Sequence, residues 1–309
     1  MMRSKKSLSY RLKSSFMEYW QIYLLLLPVI LYFVVFDYFP MYGVQIAFKD
    51  FLPTKGITGS PWVGLKHFKR FFSSPYILVI LKNTISISLY SLVAGFPLPI
   101  LFALLLNHQR VGWYRKFVQT ASYAPHFIST VVLVGMMKLM MSPTNGVINA
   151  LITALGGEPI YFFGRADIFY SLYVWSGVWT SLGWSAIVYV GALSAINPEL
   201  HEAAKIDGAS IWKRIHYIDL PGILPTVIIL LILRTGDILT VGFEKIFLMQ
   251  NNMNAAASEV ISTYVYKQGL VSAQYSYSAA VGLLNSAVNF LFLVMVNFIS
   301  GRLSDTTLF

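Results

Sequence analysis

The side chains best placed to do chemistry form a charged pair inside an apolar segment. Arg234 and Asp237 are three residues apart, so they share one face of a helix. An unpaired charge at the centre of a bilayer costs at least about 2.5–3.5 kcal/mol, so we expect these two groups to pair or to face a wet cavity. They could line the path of a solute, or they could form an ion pair that locks the helices together.

The sequence carries none of the motifs that would support catalysis. It has no nucleotide-binding loop of the form G-x-x-x-x-G-K-[ST] and no H-E-x-x-H metal motif, and its five histidines lack ligand spacing. Gly183-Trp184-Ser185 is similar to part of a nucleophile motif, but the second glycine and a His/Asp partner are missing. The absence of cysteine excludes a disulfide scaffold and a thiolate metal site. We therefore expect no enzymatic activity, no metal and no cofactor on this chain.

Other polar and aromatic side chains in or beside apolar segments are candidates for a solute path. These are Trp175, Trp179, Glu244, Asn285 and Asn289. Amide groups suit a neutral, hydroxyl-rich solute, and aromatic faces suit sugar rings. Each has a structural alternative, because asparagine often joins packed helices and tryptophan often lies at the membrane interface.

The composition indicates a polytopic membrane protein. Hydrophobic residues make up 56% of the chain and charged residues 12%, whereas soluble proteins have about 25% charged residues. Six apolar segments each reach the roughly 20 residues that a spanning helix needs. They are residues 20–39, 80–106, 121–141, 168–196, 222–242 and 278–300. We predict an all-α membrane protein with six transmembrane helices in residues 20–300.

The distribution of basic residues predicts the orientation of these helices. With both termini in the cytoplasm, 12 of the 23 Lys and Arg residues lie inside and eight lie outside. The basic tail of residues 1–19 and the short tail of residues 301–309 are then cytoplasmic. The net charge of +10 fits contact with anionic lipid headgroups rather than with nucleic acid.

A polar loop at residues 197–221 is unusually well ordered for a membrane loop. Asn197-Pro198 is a helix start, with Asn as the N-cap and Pro at the first helical position. Gly208 is suited to the left-handed residue that ends this helix. An apolar stripe of isoleucines then predicts a second helix, which we expect to end where Leu220-Pro221 opens the next apolar segment. Such a loop is expected to dock another protein.

The pattern Glu202-Ala203-Ala204, then Gly208, then Ile218, and then Leu220-Pro221, resembles a known motif. It is similar to the EAA loop of inner-membrane permease subunits of binding-protein-dependent ABC importers. In that family the loop forms coupling helices that sit in a cleft of the ATPase. The resemblance assigns coupling to Glu202, Ala203, Ala204, Asp207, Gly208, Ile215, Ile218, Leu220 and Pro221. Ile215 departs from the pattern, because an aromatic residue is often found there.

The resemblance extends over nearly the whole chain. YFPMYGVQIAFKDF (residues 38–51), WVGLKHFKRFF (residues 62–72) and the final GRLSDTTLF (residues 301–309) look like permeases of the LplB type in the carbohydrate-uptake branch. This implies a subunit of the bacterial plasma membrane that imports an oligosaccharide. It also implies three partners: an ATPase dimer that binds ATP and Mg, a second six-span permease, and an extracellular solute-binding lipoprotein.

A different transport mechanism remains open at this point. The chain could be a secondary transporter that uses an ion gradient through Arg234 and Asp237. The absence of a convincing internal repeat and the small number of spans argue against it.

Overall fold

A computed structural model describes residues 8–109 and 112–303 of the chain. These residues form helices, turns and one isolated antiparallel bridge between Lys49 and Trp62, with no β-strand among them. The predicted all-α class is therefore confirmed. The outer parts of both predicted tails, residues 1–7 and 304–309, lie outside the described residues.

The first membrane helix stands apart from the rest of the chain except at its end, where Ala47 is buried and the 3-10 helix contacts the last helix. Its elements are α1 (Leu8–Phe33), a π-helical turn (Val34–Tyr38), α2 (Phe39–Met41) and a 3-10 helix (Tyr42–Phe48). The backbone leaves helical geometry at Tyr19, where φ is −117° and ψ is 22°. The segment Met17–Phe48, which contains this kink, is long and apolar enough to span a membrane, and its most apolar stretch is not buried within the chain. Its side chains therefore face lipid or another subunit.

The second span follows two short helices, α3 (Gly56–Gly59) and α4 (Lys66–Phe72). It consists of α5 (Ile77–Gly95) and α6 (Pro97–Asn107), which together form one apolar stretch of 31 residues. This stretch contains the predicted segment 80–106.

The third predicted span, residues 121–141, is not a single straight helix. The elements there are α7 (Gly112–Tyr123), a 3-10 turn (Ala124–Phe127) and α8 (Thr130–Met140), with a bend of 97° between the two parts. Pro125 offers no backbone N–H, so it favours a break. Ser129 is extended, and its hydroxyl accepts the N–H of Val132, which starts a new helix. The segment is apolar on average, so hydropathy alone does not reveal this break.

A fourth span is followed closely by the polar loop of residues 197–221, here called the docking turn. After α9 (Val147–Ala154) and a 3-10 turn (Phe162–Gly164), the chain enters α10 (Phe169–Ser194), which lies within the predicted segment 168–196. Helix α11 (Pro198–Ile206) then leaves at a bend of 72°. Among the described residues, four helices are long and apolar enough to span a membrane, or up to six if each bent pair is one span.

The fifth span begins inside the docking turn and not after it. Helix α12 (Ile211–Arg214), a π-helical turn (Ile215–Asp219) and α13 (Leu220–Gly236) form one continuous helix. The predicted interruption at Leu220-Pro221 is therefore wrong. In the wider π turn, the N–H of Leu220 reaches the carbonyl of Ile215, just before the proline that has no N–H to offer. The helix also ends at Gly236, earlier than the predicted residue 242.

The remaining helices bring the last span back across the bundle. They are α14 (Phe243–Met249), α15 (Ala255–Ser258), α16 (Ile261–Tyr266) with a π-helical turn (Lys267–Val271), and α17 (Tyr275–Leu303). Helix α17 contains the predicted segment 278–300.

Two apolar cores share α10, and a third joins α4, α5, α16 and α17 through Phe71, Ile80, Ile261, Tyr277 and Val281. The turn-side core joins α6, α10, α13 and the first π-turn residue after α12, through Ala103, Leu104, Ala186, Tyr189, Leu193, Ile215 and Ile223. The loop-side core joins α5, α8, α10 and α14 with the segments around them, through Ile87, Val134, Phe163, Phe169, Val241, Ile246, Met249, Ala257 and Val260. Helix α10 contributes to both the turn-side and the loop-side core and therefore lies at the centre of the bundle.

Helices α10 and α7 approach each other most closely at Gly183. A methyl group at Gly183 would overlap the backbone carbonyl of Ser122, whereas one at Gly191, on the same helix, would meet nothing within 4 Å. We expect Gly183→Ala to lower the free energy of unfolding in detergent by about 1–3 kcal/mol, the usual cost of overpacking. Gly191→Ala is the matched control and should be neutral or slightly stabilising, because alanine favours helix. Equal stability of the two variants would contradict the close approach.

Candidate docking turn and solute path

The docking turn is built by backbone hydrogen bonds that suit its residue types. The Asn197 side chain accepts the N–H of Glu199 at 3.0 Å, which confirms the predicted cap. Gly208 has a φ of +74°, as predicted for the residue that ends α11. The N–H of Ala209 reaches the carbonyl of Ala204 at 2.8 Å, and that of Gly208 reaches Lys205 at 3.1 Å. These two bonds are the Schellman arrangement, which fixes the exit of the chain from the helix.

The tip of this turn is open to contact with another protein. Glu202, Ala203, Asp207 and Gly208 are exposed, and Ala204 is half-buried. Two large apolar residues, which the motif did not single out, are also exposed there: Ile206 at 87% and Trp212 at 73%. Apolar groups this exposed on a polar turn are typical of a protein-binding surface. Their presence in an otherwise polar loop was the available sequence signal.

The predicted isoleucine stripe of Ile211, Ile215 and Ile218 is divided between surface and interior, because Ile211 is 41% exposed. Ile215 is buried in the turn-side core, and Ile218 is half-buried. Leu220 and Pro221 are exposed one turn further along. Ile215 therefore anchors the loop to α6 and α10, which accounts for an aliphatic residue at this position.

A polar cluster lies beneath the turn. Asp219 is fully buried, and its Oδ2 lies 2.6 Å from Nε2 of His108, the residue that follows α6. Its Oδ1 lies 3.2 Å from Nε2 of His201 in α11, at ion-pair distance but without good hydrogen-bond alignment. The sequence analysis assigned no role to these histidines. His108 and His201 are 93 residues apart, and His201 and Asp219 are 18 apart, so no local spacing pattern joins the three residues.

A cavity of about 580 Å³ opens between α5, α10, α13 and α14 and the turn before α8. Its polar and aromatic lining consists of Ser91, Phe96, His126, Thr130, Tyr173, Thr180, Ser181, Trp184, Ser185, Tyr189, Arg234 and Lys245. The ring of His126 stacks on Trp184 with centroids 4.4 Å apart. The cavity thus offers hydroxyl groups, one broad aromatic pair and two cations.

Arg234 connects this cavity to a second one of about 330 Å³, which also contains Asp237. Asp237 caps the end of α13, outside the regular helix. Within the described part of the chain the two side chains form no ion pair with each other. Both side chains thus line a cavity instead of pairing with each other, and their role in a solute path stays a prediction.

Lys245 is a cavity residue that the sequence analysis did not select. Its Nζ donates to the carbonyl of Tyr173 at 2.8 Å and lies 4.7 Å from the centre of the tyrosine ring. Gly177 makes room for it, because a Cβ there would stand 3.2 Å from Nζ. Burial lowers the pKa of the Lys245 amine to about 8. A lysine in a loop between two spans is common, so nothing in the sequence marked this one.

The predicted tryptophans lie on another face of α10. Trp175 and Trp179 are about half exposed and line neither cavity. The indole of Trp175 donates to Tyr90 Oη at 2.8 Å. Trp184 is the tryptophan that reaches the cavity, since it shares a helix face with Tyr173 and Gly177.

The remaining path candidates are also outside the two cavities. Glu244 is exposed in the first turn of α14. Asn289 is buried and pins the chain after α13, because its Oδ1 accepts the N–H of Leu239 and its Nδ2 donates to Thr240, both at 2.9 Å. Asn285 is half-buried, and its buried Oδ1 has no hydrogen-bond partner. Across residues 8–109 and 112–303, no group of three His, Cys, Asp or Glu side chains could hold a metal ion.

A bundle of apolar helices around a polar cavity, with an exposed ordered turn at its end, defines a membrane-transport subunit. The chain matches the family of binding-protein-dependent transport system inner membrane components over residues 95–305. It therefore belongs to this family.

Individual relatives and solved structures agree with this assignment. The chain is 42% identical to the polygalacturonan/rhamnogalacturonan transport system permease protein YteP of Bacillus subtilis (strain 168), over 97% of this chain and 94% of that one. It is 42% identical to Protein LplB of the same organism, over 93% and 91%. A permease chain of a bacterial ABC transporter involved in the import of the acidic polysaccharide alginate superposes with a TM-score of 0.88, at 40% identity over 95% and 99% of the two chains.

Membership in this family decides between the mechanisms left open by the sequence. The chain is a multi-pass permease subunit of an ABC importer and not an ion-gradient-driven secondary transporter. It is not an enzyme, because ATP hydrolysis belongs to a separate subunit in this family.

The lowered pKa of Lys245 can be tested without a solute. Only the neutral amine is acylated, so its reactivity with an acetylating reagent should rise to half its maximum near pH 8, as followed by mass spectrometry. The exposed Lys55 on the same protein provides the reference for reagent behaviour. Reactivity of Lys245 that reached half its maximum only near pH 10 would contradict the burial of this amine.

Proposed function

We propose that the chain forms half of the translocation path for an acidic oligosaccharide and couples it to an ATPase through residues 197–221. A second six-span permease supplies the other half, and an extracellular solute-binding lipoprotein delivers the solute. ATP and Mg bind to the partner ATPase dimer. Both termini, like the docking turn, lie on the cytoplasmic side, where ATP is available.

The observation that carries this proposal is the continuous helix Ile211–Gly236. It begins beside the exposed Trp212 at the docking turn and reaches Arg234 at the junction of the two cavities. At 1.5 Å per residue, its 26 residues extend about 39 Å, enough to cross a bilayer. A movement imposed at the turn by the ATPase thus reaches the cavity without passing through a loop.

The transport cycle follows from two states of this assembly. The loaded binding protein docks outside, ATP closes the ATPase dimer, and the cavity turns outward to accept the solute. Hydrolysis then returns the cavity to the inside. Each ligand shifts this equilibrium only by the difference between its affinities for the two states. The ATPase must therefore bind the docking turn rigidly, so that its own change of state is transmitted to the permease.

Two cations in the cavity support an acidic solute rather than the neutral one suggested by the asparagines. Arg234 and Lys245 both line the larger cavity, and neither has an acidic ion-pair partner among the described residues. Carboxylate groups on a sugar would supply that partner, and the stacked His126 and Trp184 offer a surface for a sugar ring. Relatives that handle polygalacturonan and alginate point to the same class.

The coupling assignment is tested at Gly208. Gly208 has a φ of +74°, a backbone conformation that is strained for any other L-residue. Aspartate would also add a negative charge at the tip of the turn. We expect Gly208→Asp to insert and to bind the second permease, but to lose uptake while ATP hydrolysis by the complex persists. Gly156→Asp is the matched control, because Gly156 is also exposed with a positive φ of 85° but lies between α9 and α10. Normal uptake by Gly208→Asp would refute the assignment.

The charge of the solute is tested at Arg234 in proteoliposomes that contain the whole complex and its binding protein. A galacturonate oligosaccharide and its carboxyl-reduced neutral form serve as probes. Loss of one charge-assisted hydrogen bond, about 1.5–3 kcal/mol, should raise the KM of Arg234→Gln for the acidic probe about 10- to 100-fold. Arg165→Gln, at an exposed pair with Asp167 outside the cavities, should leave it unchanged. Preference of the native complex for the neutral probe would overturn the acidic class.

A further inference from the structure

The buried carboxylate of Asp219 joins three elements at the base of the docking turn. It belongs to the π turn of the continuous helix Ile211–Gly236. It contacts His108 at the end of α6 and His201 in α11, and the two imidazole rings meet edge to face with centroids 6.1 Å apart. The side chain of Asp219 therefore joins the end of the second span, α11 and the fifth span.

The two histidines are the ion-pair partners of this carboxylate among the described residues. A carboxylate that is removed from water is stable only when its oxygens are paired. Nε2 of His108 lies at hydrogen-bond distance from Oδ2 and supplies an N–H to it, whereas Nε2 of His201 lies at ion-pair distance from Oδ1 without hydrogen-bond alignment. The side chains of His108 and His201 are only 12% and 18% exposed, so water replaces neither of them easily.

Helix α11 has little else to fix its direction. Every one of its residues is exposed or half-buried, and it leaves α10 at a bend of 72°. A helix with so few buried contacts opens and reorients at low cost unless a specific contact holds it. His201 provides such a contact from the middle of α11, on the side opposite to the exposed tip.

We propose that Asp219 is a positioning residue for energy coupling, which holds α11 at a fixed angle to the second and fifth spans through His201 and His108. Because of this brace, a push of the ATPase on α11 moves the Ile211–Gly236 helix instead of bending the joint at residues 195–197. The inference rests on the proposed coupling role of residues 197–221. It gives a role in energy coupling to Asp219, His108 and His201, which lie outside the exposed tip.

The test uses hydrogen–deuterium exchange on the complete complex, with its ATPase and second permease, and needs no solute. In the native complex, trapping the ATPase with ATP and vanadate should change the exchange of amides 237–249 at the cavity end. In Asp219→Leu, this change should be lost although vanadate trapping still occurs. Amides 200–206 of α11 should exchange about ten-fold faster, because the helix is no longer braced. Asp219→Asn, which keeps hydrogen-bonding capacity, should restore part of the response.

Controls separate positioning from general stability. His67→Leu removes a different histidine contact, 3.0 Å from Asp50, and should leave the nucleotide response intact. If Asp219→Leu does not assemble, His201→Leu makes the same test from the partly exposed side. A native response in whichever of these two variants assembles would overturn the proposal. If Gly208→Asp also retains coupled uptake, the coupling role of the loop itself fails; if Gly208→Asp uncouples while His201→Leu does not, only the brace is wrong.

Discussion

The structure depends on one constraint: inside a membrane, every backbone N–H and carbonyl must find a partner within the protein. Helices meet this condition by themselves, so each break in a helix needs a specific substitute. Ser129 caps the break before α8, Asn197 caps the break before α11, and Asn289 holds the chain that follows α13. Two of the three breaks, before α8 and after α13, thus lie where the helices enclose a polar cavity.

The same constraint explains why the fifth span is coupled so directly to the docking turn. A loop between the two would have exposed backbone groups near the membrane and would have absorbed any imposed movement. The π turn before Pro221 avoids both problems, because it keeps the helix continuous while it accommodates a residue that lacks an N–H. The wider turn also places Asp219 against two histidines from other helices. Continuity and bracing therefore arise from one local irregularity.

Local chemistry made a large part of the fold predictable from the sequence. The cap at Asn197 and the left-handed Gly208 depend on neighbouring backbone atoms alone, and both were predicted correctly. The apolar segments gave the spans wherever a helix is regular. The bend before α8 and the continuity through Leu220-Pro221 were missed, because a proline can end a helix or be accommodated in it, and neighbouring helices decide which.

The cavity was less predictable than the turn, because its members come from distant parts of the chain. Arg234 was recognised as a charge in an apolar segment, but Lys245 had no such background and was missed. Trp175 and Trp179 were selected by type, whereas Trp184 reaches the cavity because of the rotation of α10, which packing determines. The cluster around Asp219 combines residues 108, 201 and 219, and no spacing rule joins them.

The position of the first membrane helix has a consequence for biosynthesis. Its end is tied to the last helix, since the N–H of Phe51 donates to the hydroxyl of Ser276 at 2.9 Å, across 225 positions of the chain. The apolar stretch before this tie is not buried against any other part of the described chain. The ribosome must therefore synthesise the chain as far as Ser276 before the first membrane helix can make this contact. Until then that helix is held by the lipid alone, and the bundle closes only after the residues around Ser276 have been made.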